Sequence, residues 1–488
     1  MNNKLEAFRD AICGKTVSVV GLGISNTPVI DFLLSCGASV VGRDKKTAGA
    51  LGTLAETLAA KGVSLRLGED YLADIREDVI FKAPGIRPDL PEFVAAQHDG
   101  SALTSEMEVF LALCPAPVFA VTGSDGKTTT TTLIYTMLKA QAEKDSTGKT
   151  VWVGGNIGKP LLPEIESISE DDFVVLELSS FQLQAMKTGR NLQPWPHAAC
   201  ITNVTPNHLN WHTDMEEYTD AKAEIFANQA RGGRLILNYE NELTRDMAKN
   251  AAGHVTFFSS VHNLTDCLHD TADHHADAVI FEKNGEIVIS ADAEDEPFPI
   301  LSVSDILLPG RHNVENYMTA IAAVRGYVDP DTILEVAKTF GGVEHRQEFV
   351  CERGGVKYYN SSIDSSPTRT IAALLAFKQK LIVILGGADK GVPFDSLAKP
   401  LAEHAKAVVL TGASRDKIAA ALNDSDDFRA SGVPVYNTPN FTDAIDAARD
   451  AAEVGDIVIL SPACTSFDAF PNFEVRGNTF KKHVLDYK

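Results

Sequence analysis

The sequence predicts a three-domain α/β protein whose mostly parallel sheets are covered by helices. Strand-like apolar runs alternate with helical patterns nearly throughout, as parallel sheets with helical crossovers require. A chain of 488 residues exceeds what one hydrophobic core supports. Residues 118–128 read as buried strand, glycine turn and helix start, the junction at which such sheets grip phosphate.

The first block opens with a strand at residues 16–20 and the turn Gly21-Leu22-Gly23. Thr27 and Pro28 read as N-cap and first helical residue of a helix running towards Gly37. The next strand, residues 39–42, ends near Asp44. The second block begins near Ser105, with strands at 117–122, 173–178, 198–203 and 234–238. Asn284-Gly285, between strands at 278–281 and 286–290, is a hairpin signal. The third block starts around Gly341-Gly342 and carries strands at 356–360, 381–385, 407–411, 433–436 and 457–461. The expected domains are residues 1–104, 105–342 and 343–488.

Hydrophobic residues make up 44% and charged residues 23%, ordinary for a globular protein, and the net charge is −22. That acidity argues against nucleic acid as a partner, so phosphorylated ligands would need locally concentrated cations. Seven scattered cysteines without a C-x-x-C pair suit a reducing compartment. No secretory signal core and no membrane-spanning apolar run are evident, so a cytoplasmic protein without membrane insertion is expected. Residues 261–277 read as a solvated insertion, because Cys267, His269, His274 and His275 fit no zinc spacing.

In Thr122-Gly-Ser-Asp-Gly-Lys-Thr128, Gly123 and Gly126 permit a tight turn. Helix-start N–H groups can then face phosphate oxygens, while Lys127 supplies a cation and Thr128 a hydroxyl for Mg²⁺. Val121 occupies the first glycine position of the longer phosphate-loop pattern, so the tighter T-G-x-x-G-K-T form is the one present. Glu177 closes a strand where α/β folds bind ligands, and its carboxylate suits Mg²⁺. His208 and His212 are spaced i, i+4 without a third zinc ligand; one ring is expected near metal or substrate, the other on the surface. On a helix from 215 to 230, Lys222 shares the inward stripe of Met215, Tyr218, Ile225, Phe226 and Gln229. It reads either as a buried, neutral amine or as a snorkelling lysine.

Taken in order, the phosphate loop, Gly155-Asn156-Ile-Gly, Glu177-Leu-Ser-Ser-Phe-Gln, Asn203-Val-Thr-Pro-Asn-His208 and Lys222 resemble the Mur ligases, which build the cytoplasmic peptidoglycan precursor. Gly310-Arg-His-Asn-Val-Glu-Asn316, Glu344-His-Arg346, Leu385-Gly-Gly-Ala-Asp-Lys390-Gly and Ser461-Pro-Ala-Cys-Thr-Ser466 through Phe473 extend the likeness over the whole chain. The resemblance implies Rossmann-like N- and C-terminal domains around a central P-loop-type ATPase domain. It implies ATP bound by Gly123, Ser124, Asp125, Gly126, Lys127, Thr128, Thr129, Asn316 and Arg346. Thr128, Glu177, His208 and a carbamylated Lys222 would hold Mg²⁺, and Lys127, Glu177, His208 and Lys222 would be catalytic. UDP-sugar would meet Gly23, Ile24, Ser25, Asp44, Lys45, Gly85, Asn156, Ser179 and His208, although Asp44 also reads as an ordinary strand-end acid. Ser365, Lys390, Ser466 and Phe473 would hold the incoming amino acid.

The last motif is most similar to that of the D-glutamate-adding members, which implies UDP-N-acetylmuramoyl-L-alanine and D-glutamate as substrates of a monomeric enzyme. Three positions depart from the family: Asp125 for asparagine, Asn207 for aspartate, and Ser361 for an aspartate whose ribose contact Asp364 could take over. A ligase for another amino acid is the alternative within the family. A nucleotide-hydrolysing switch is the alternative outside it, and that reading leaves Lys390 and Ser466 without a task.

Overall fold

The computed structural model describes residues 3–23, 26–186, 195–209, 211–268, 276–292, 294–389 and 391–487. It contains three sheets, as the α/β expectation requires. The first comprises β1 (Thr16–Val20), β2 (Ser39–Asp44), β3 (Ser64–Leu67), β4 (Val79–Lys82) and β5 (Ala102–Thr104). Its order is β3-β2-β1-β4-β5, and all pairs are parallel. The second comprises β6 (Val118–Thr122), β7 (Val151–Gly155), β8 (Phe173–Glu177), β9 (Ala198–Ile201), β10 (Arg234–Asn238), β11 (His254–Ser259), β12 (Ala278–Lys283), β13 (Glu286–Ser290) and β14 (Phe298–Ser302). Only β12-β13 and β13-β14 are antiparallel there. The third comprises β15 (Glu348–Arg353), β16 (Val356–Asn360), β17 (Leu381–Gly386), β18 (Ala405–Thr411), β19 (Val435–Asn437) and β20 (Ile457–Leu460), ordered β15-β16-β20-β17-β18-β19.

The chain divides into two compact units, Met1–Asp305 with Val314–Val336, and Ile306–Asn313 with Ala337–Lys488. The first unit holds two sheets and the second holds one. Central strands such as β6 (VFAVT) and β17 (LIVILG) are buried along their whole length, because helices cover both faces of a parallel sheet. In each sheet the order reverses around a central strand, and ligand crevices form at the carboxyl ends beside such reversals.

Local departures have local causes. Asn26, not Thr27, is the N-cap of the helix Thr27–Ser35. The strand expected to reach residue 203 stops at Ile201, because Thr202 and Asn203 spend their polar groups on the phosphate loop. The helix carrying Lys222 ends at Ala227, with Asn228 as its C-cap. The hairpin turn is as expected, with Asn284 and Gly285 both at positive φ. The seven cysteines are free. No described helix is long and apolar enough to cross a membrane.

Candidate active site

The phosphate loop leaves β6 through Gly123, at φ +149, and enters the helix Lys127–Lys144 through Gly126, at φ +81. A Cβ at Gly123 would lie 1.9 Å from Thr202 Oγ1, and one at Gly126 would lie 2.4 Å from Asn316 Oδ1. The neighbouring strand's exit holds the loop open. The Ser124 N–H donates to the Asn203 carbonyl and the Asp125 N–H to Asn203 Oδ1, both at 2.9 Å. Thr202 donates to the Asp125 carbonyl. Asp125 itself is exposed, so its unusual charge turns to solvent. Lys127 Nζ donates to the Gly123 and Ser124 carbonyls at 2.9 and 3.0 Å. Asn316 is 5% exposed and accepts from the Thr130 hydroxyl.

Glu177 ends β8 opposite Val121 of β6. It is buried, with Oε1 accepting from Asn156 Nδ2 at 2.8 Å and Oε2 without a partner among the described residues. Lys222 is 1% exposed, which decides against snorkelling. Its Nζ donates to the Gly123 carbonyl at 2.8 Å and lies 4.6 Å from the centre of the Tyr218 ring. Two lysines therefore share one carbonyl oxygen. Burial, and after it Lys127, holds the Lys222 pKa well below its usual value, with Asp125 opposing. The amine is thereby favoured in its neutral form.

His208 is exposed, adopts φ +55 and stacks edge-on to Phe181 at 4.9 Å. Partial burial, then Lys127 and Lys222, lowers its pKa. His212 corrects an expectation: it is 1% exposed rather than on the surface, 2.9 Å from Ser180 Oγ. Burial lowers its pKa to about 4. It belongs to an aromatic cluster with Phe181, Trp211 and Tyr218 that seats His208. Tyr218, one turn before Lys222, also reaches the loop, its hydroxyl 3.0 Å from Ser124 Oγ. The sequence reading missed Tyr218, Thr202 and Asn203. Tyr218 left a trace in its place on the inward stripe, and Asn203 in opening the motif that ends at His208.

On the first sheet, Gly21 turns at φ +87, where a Cβ would meet Ala83 Cβ at 2.8 Å. The Asp44 carboxylate accepts the Leu22 N–H at 2.7 Å and the Lys46 N–H at 2.8 Å, which makes it the clamp of this turn. Lys45 is exposed, 3.6 Å from Glu69. The Gly85 carbonyl accepts from Trp211 Nε1 at 3.0 Å. Arg87 donates to the Trp211 carbonyl at 2.7 Å and pairs with Glu217 at 3.1 Å, on the helix that carries Lys222. Ser179 spends its hydroxyl on Gln182. Asn156 lines a cavity of about 320 Å³ with Asn26, Glu106 and Gln182. Ile24 and Ser25 lie outside the described residues.

In the second unit, the carboxyl ends of β16, β17 and β20 carry the segments expected to handle the amino acid. Ser466 is 2% exposed, and its carbonyl accepts the Ala469 and Phe470 N–H groups. Phe473 opens the last helix, its carbonyl accepting from Ser362 Oγ at 2.8 Å. Ser365 follows on the β16 side, Arg346 is exposed, and Lys390 lies outside the described residues. Asp364, offered for a ribose contact, is buried on Ser461 at 2.9 Å, and burial raises its pKa to about 6. Arg476, which the sequence gave no reason to single out, is 2% exposed and ties Ser362 to the Cys464 and Thr465 carbonyls.

Residues 121–324 match the Mur ligase middle domain, and residues 345–464 match the Mur ligase glutamate ligase domain. Curated relatives named UDP-N-acetylmuramoylalanine–D-glutamate ligase are 46% identical in Ruminiclostridium cellulolyticum, over 100% of both chains, and 47% identical in Acetivibrio thermocellus, over 99% of both. The relative of that name from Clostridium novyi is 46% identical over 99% of both chains. Among solved structures, the UDP-N-acetylmuramate-alanine ligase of Thermotoga maritima matches with TM-score 0.52 at 18% identity, over 97% of this chain and 100% of that one. The MurF ligase of Thermotoga maritima, solved in complex with ADP, matches with TM-score 0.51 at 17% identity, over 98% and 96%. These two establish likeness of fold.

Proposed function

The chain belongs to the Mur ligase family, and from that premise we propose that it is an ATP-dependent ligase joining D-glutamate to UDP-N-acetylmuramoyl-L-alanine in the cytoplasm. The observation that carries the chemistry is the meeting of Lys127 and Lys222 on the Gly123 carbonyl, beside the half-satisfied carboxylate of Glu177. A glycine loop with the Lys127 cation beside it suits a polyphosphate, and a buried carboxylate oxygen without a donor suits a divalent cation. No three His, Cys, Asp or Glu side chains converge on a metal position among the described residues. That fits Mg²⁺, which is commonly held by one or two carboxylates together with substrate phosphates and water. Thr128, Glu177 and His208 would hold it, with Lys222 joining once CO₂ has carbamylated its amine. When bound, Mg²⁺ neutralises charge on the phosphate oxygens.

In the proposed reaction an alanyl carboxylate oxygen attacks the γ-phosphorus in line, and the bond to the ADP oxygen breaks. Lys127 exchanges its loop carbonyls for phosphate oxygens and stabilises the charge that spreads over them. The D-glutamate amine then attacks the acyl carbon, expels phosphate and leaves an amide. His208, kept neutral, can hold the substrate without adding charge. Ser365, Lys390, Ser466 and Phe473 would seat D-glutamate, with Lys390 pairing a carboxylate. Phosphate release should require both UDP-N-acetylmuramoyl-L-alanine and D-glutamate. Equal release without either would refute the ligase and favour a nucleotide switch.

A further inference from the structure

Asn26 stands where a dinucleotide-binding turn carries its third glycine, and nothing in the phosphate chemistry explains it. The residue is 1% exposed, and Nδ2 donates to the Val20 carbonyl at 3.0 Å. A carbonyl only accepts, so this bond fixes which end of the amide is which. The other end, Oδ1, has no hydrogen-bond partner among the described residues. Although Asn26 is the N-cap of the helix Thr27–Ser35, its side chain caps none of that helix's N–H groups. A buried amide oxygen left unpaired is costly, and folded proteins rarely keep one without a use.

Asn26 forms part of the wall of the cavity of about 320 Å³ that also includes Ser105, Glu106, Asn156 and Gln182. Among the described residues no lysine, arginine or histidine lines it. Glu106 accepts the Leu162 N–H at 3.1 Å, and burial raises its pKa to about 7. Walls of this kind are unfavourable to a pyrophosphate, which needs cations or clustered N–H groups. They suit a neutral group that carries O–H or N–H donors.

We propose that Asn26 is a specificity-determining residue, whose Oδ1 accepts a hydrogen bond from a neutral donor on the sugar-bearing part of the nucleotide substrate. This rests on the ligase reading for the identity of that substrate. The contribution belongs to the sugar and its stem, and is absent for the nucleotide alone.

The test compares, by calorimetry on the full chain, the affinities of UDP and of UDP-N-acetylmuramoyl-L-alanine. In Asn26→Leu the affinity for UDP should stay at its wild-type value. The affinity for the sugar nucleotide should fall roughly tenfold, the size expected of one net hydrogen bond. Asn26→Gly, the residue a dinucleotide turn would carry, serves in the same comparison if the leucine variant does not fold. Equal losses for both ligands, or no loss for either, would overturn the proposal, since the side chain would then serve only the turn. If the wild-type protein binds neither ligand, the ligase reading falls together with it. Binding of both with an unchanged ratio removes Asn26 alone.

Discussion

Two glycine turns follow two buried parallel strands, and they are held open by opposite means. The turn after β1 is clamped by a carboxylate, Asp44, which takes up two backbone N–H groups. The turn after β6 is clamped by neutral groups, Thr202 and Asn203, and is crowned by two lysines on one carbonyl. Under the proposed function an acid pointing into the second turn would cancel the charge a triphosphate needs, and Asp125 faces solvent instead. Similar backbone geometry is thus locked by a carboxylate in one turn and by neutral groups in the other.

The largest expected break in that contrast is Gly123→Ala. Its Cβ would fall 1.9 Å from Thr202 Oγ1, so the loop must shift. Ligase kcat/KM should drop at least about 100-fold, the scale of an ångström-sized misplacement. Gly21→Ala, with a 2.8 Å contact to Ala83, should instead raise KM for the nucleotide sugar and leave KM for ATP alone. Steady-state kinetics on both variants separates the two turns, and equal effects on both substrates would erase the distinction.

Lys222→Ala should lower kcat by about 10- to 100-fold, as loss of a metal-supporting group does. Added short carboxylates such as formate or acetate should restore part of it. Full activity without them would remove Lys222 from the site. Asp44→Ala leaves the part-buried Leu22 N–H without its acceptor, at about 1–3 kcal/mol. KM for the nucleotide sugar should rise roughly tenfold while KM for ATP holds; a parallel rise in both would show that the clamp is not local.

The smallest effect concerns pH. The folded pKa of His212 is about 4 against an ordinary value of 6.5, so between those values the unfolded chain binds more protons. Stability from this group is present above pH ~6.5 and is lost as pH falls towards ~4. His212→Phe, which keeps the stack on Phe181, should flatten the fall of Tm between pH 7 and pH 5. An unchanged slope would show that His212 does not carry it.

The junctions that position the site were legible because they are local. Five-residue apolar strands, glycines at the turns and the 3.6-residue stripe that placed Lys222 inward all lie in contiguous sequence. Strands β3, β4, β5, β7, β11, β14 and β15 were not read from the sequence; of these, β3 and β5 are short, partly exposed edges without an apolar run. The roles of Asn203, Tyr218 and Arg476 arise from pairings across the fold, which no local pattern encodes. His212 misled for the same reason: it was expected on the surface, whereas the chain there turns and buries its ring against Ser180 and Phe181. Asp44 showed its position but not its use, since a strand-end acid looks the same whether it faces a ligand or a neighbouring N–H.

Arg87, Trp211 and Glu217 give this arrangement a ruler. Through them the segment after β4 is bolted to the helix that carries Tyr218 and Lys222. The span between the turn of the first sheet and the lysines of the second is therefore fixed by a strut rather than by a linker. Under the proposed function a sugar nucleotide reaching from one to the other would be measured by that strut.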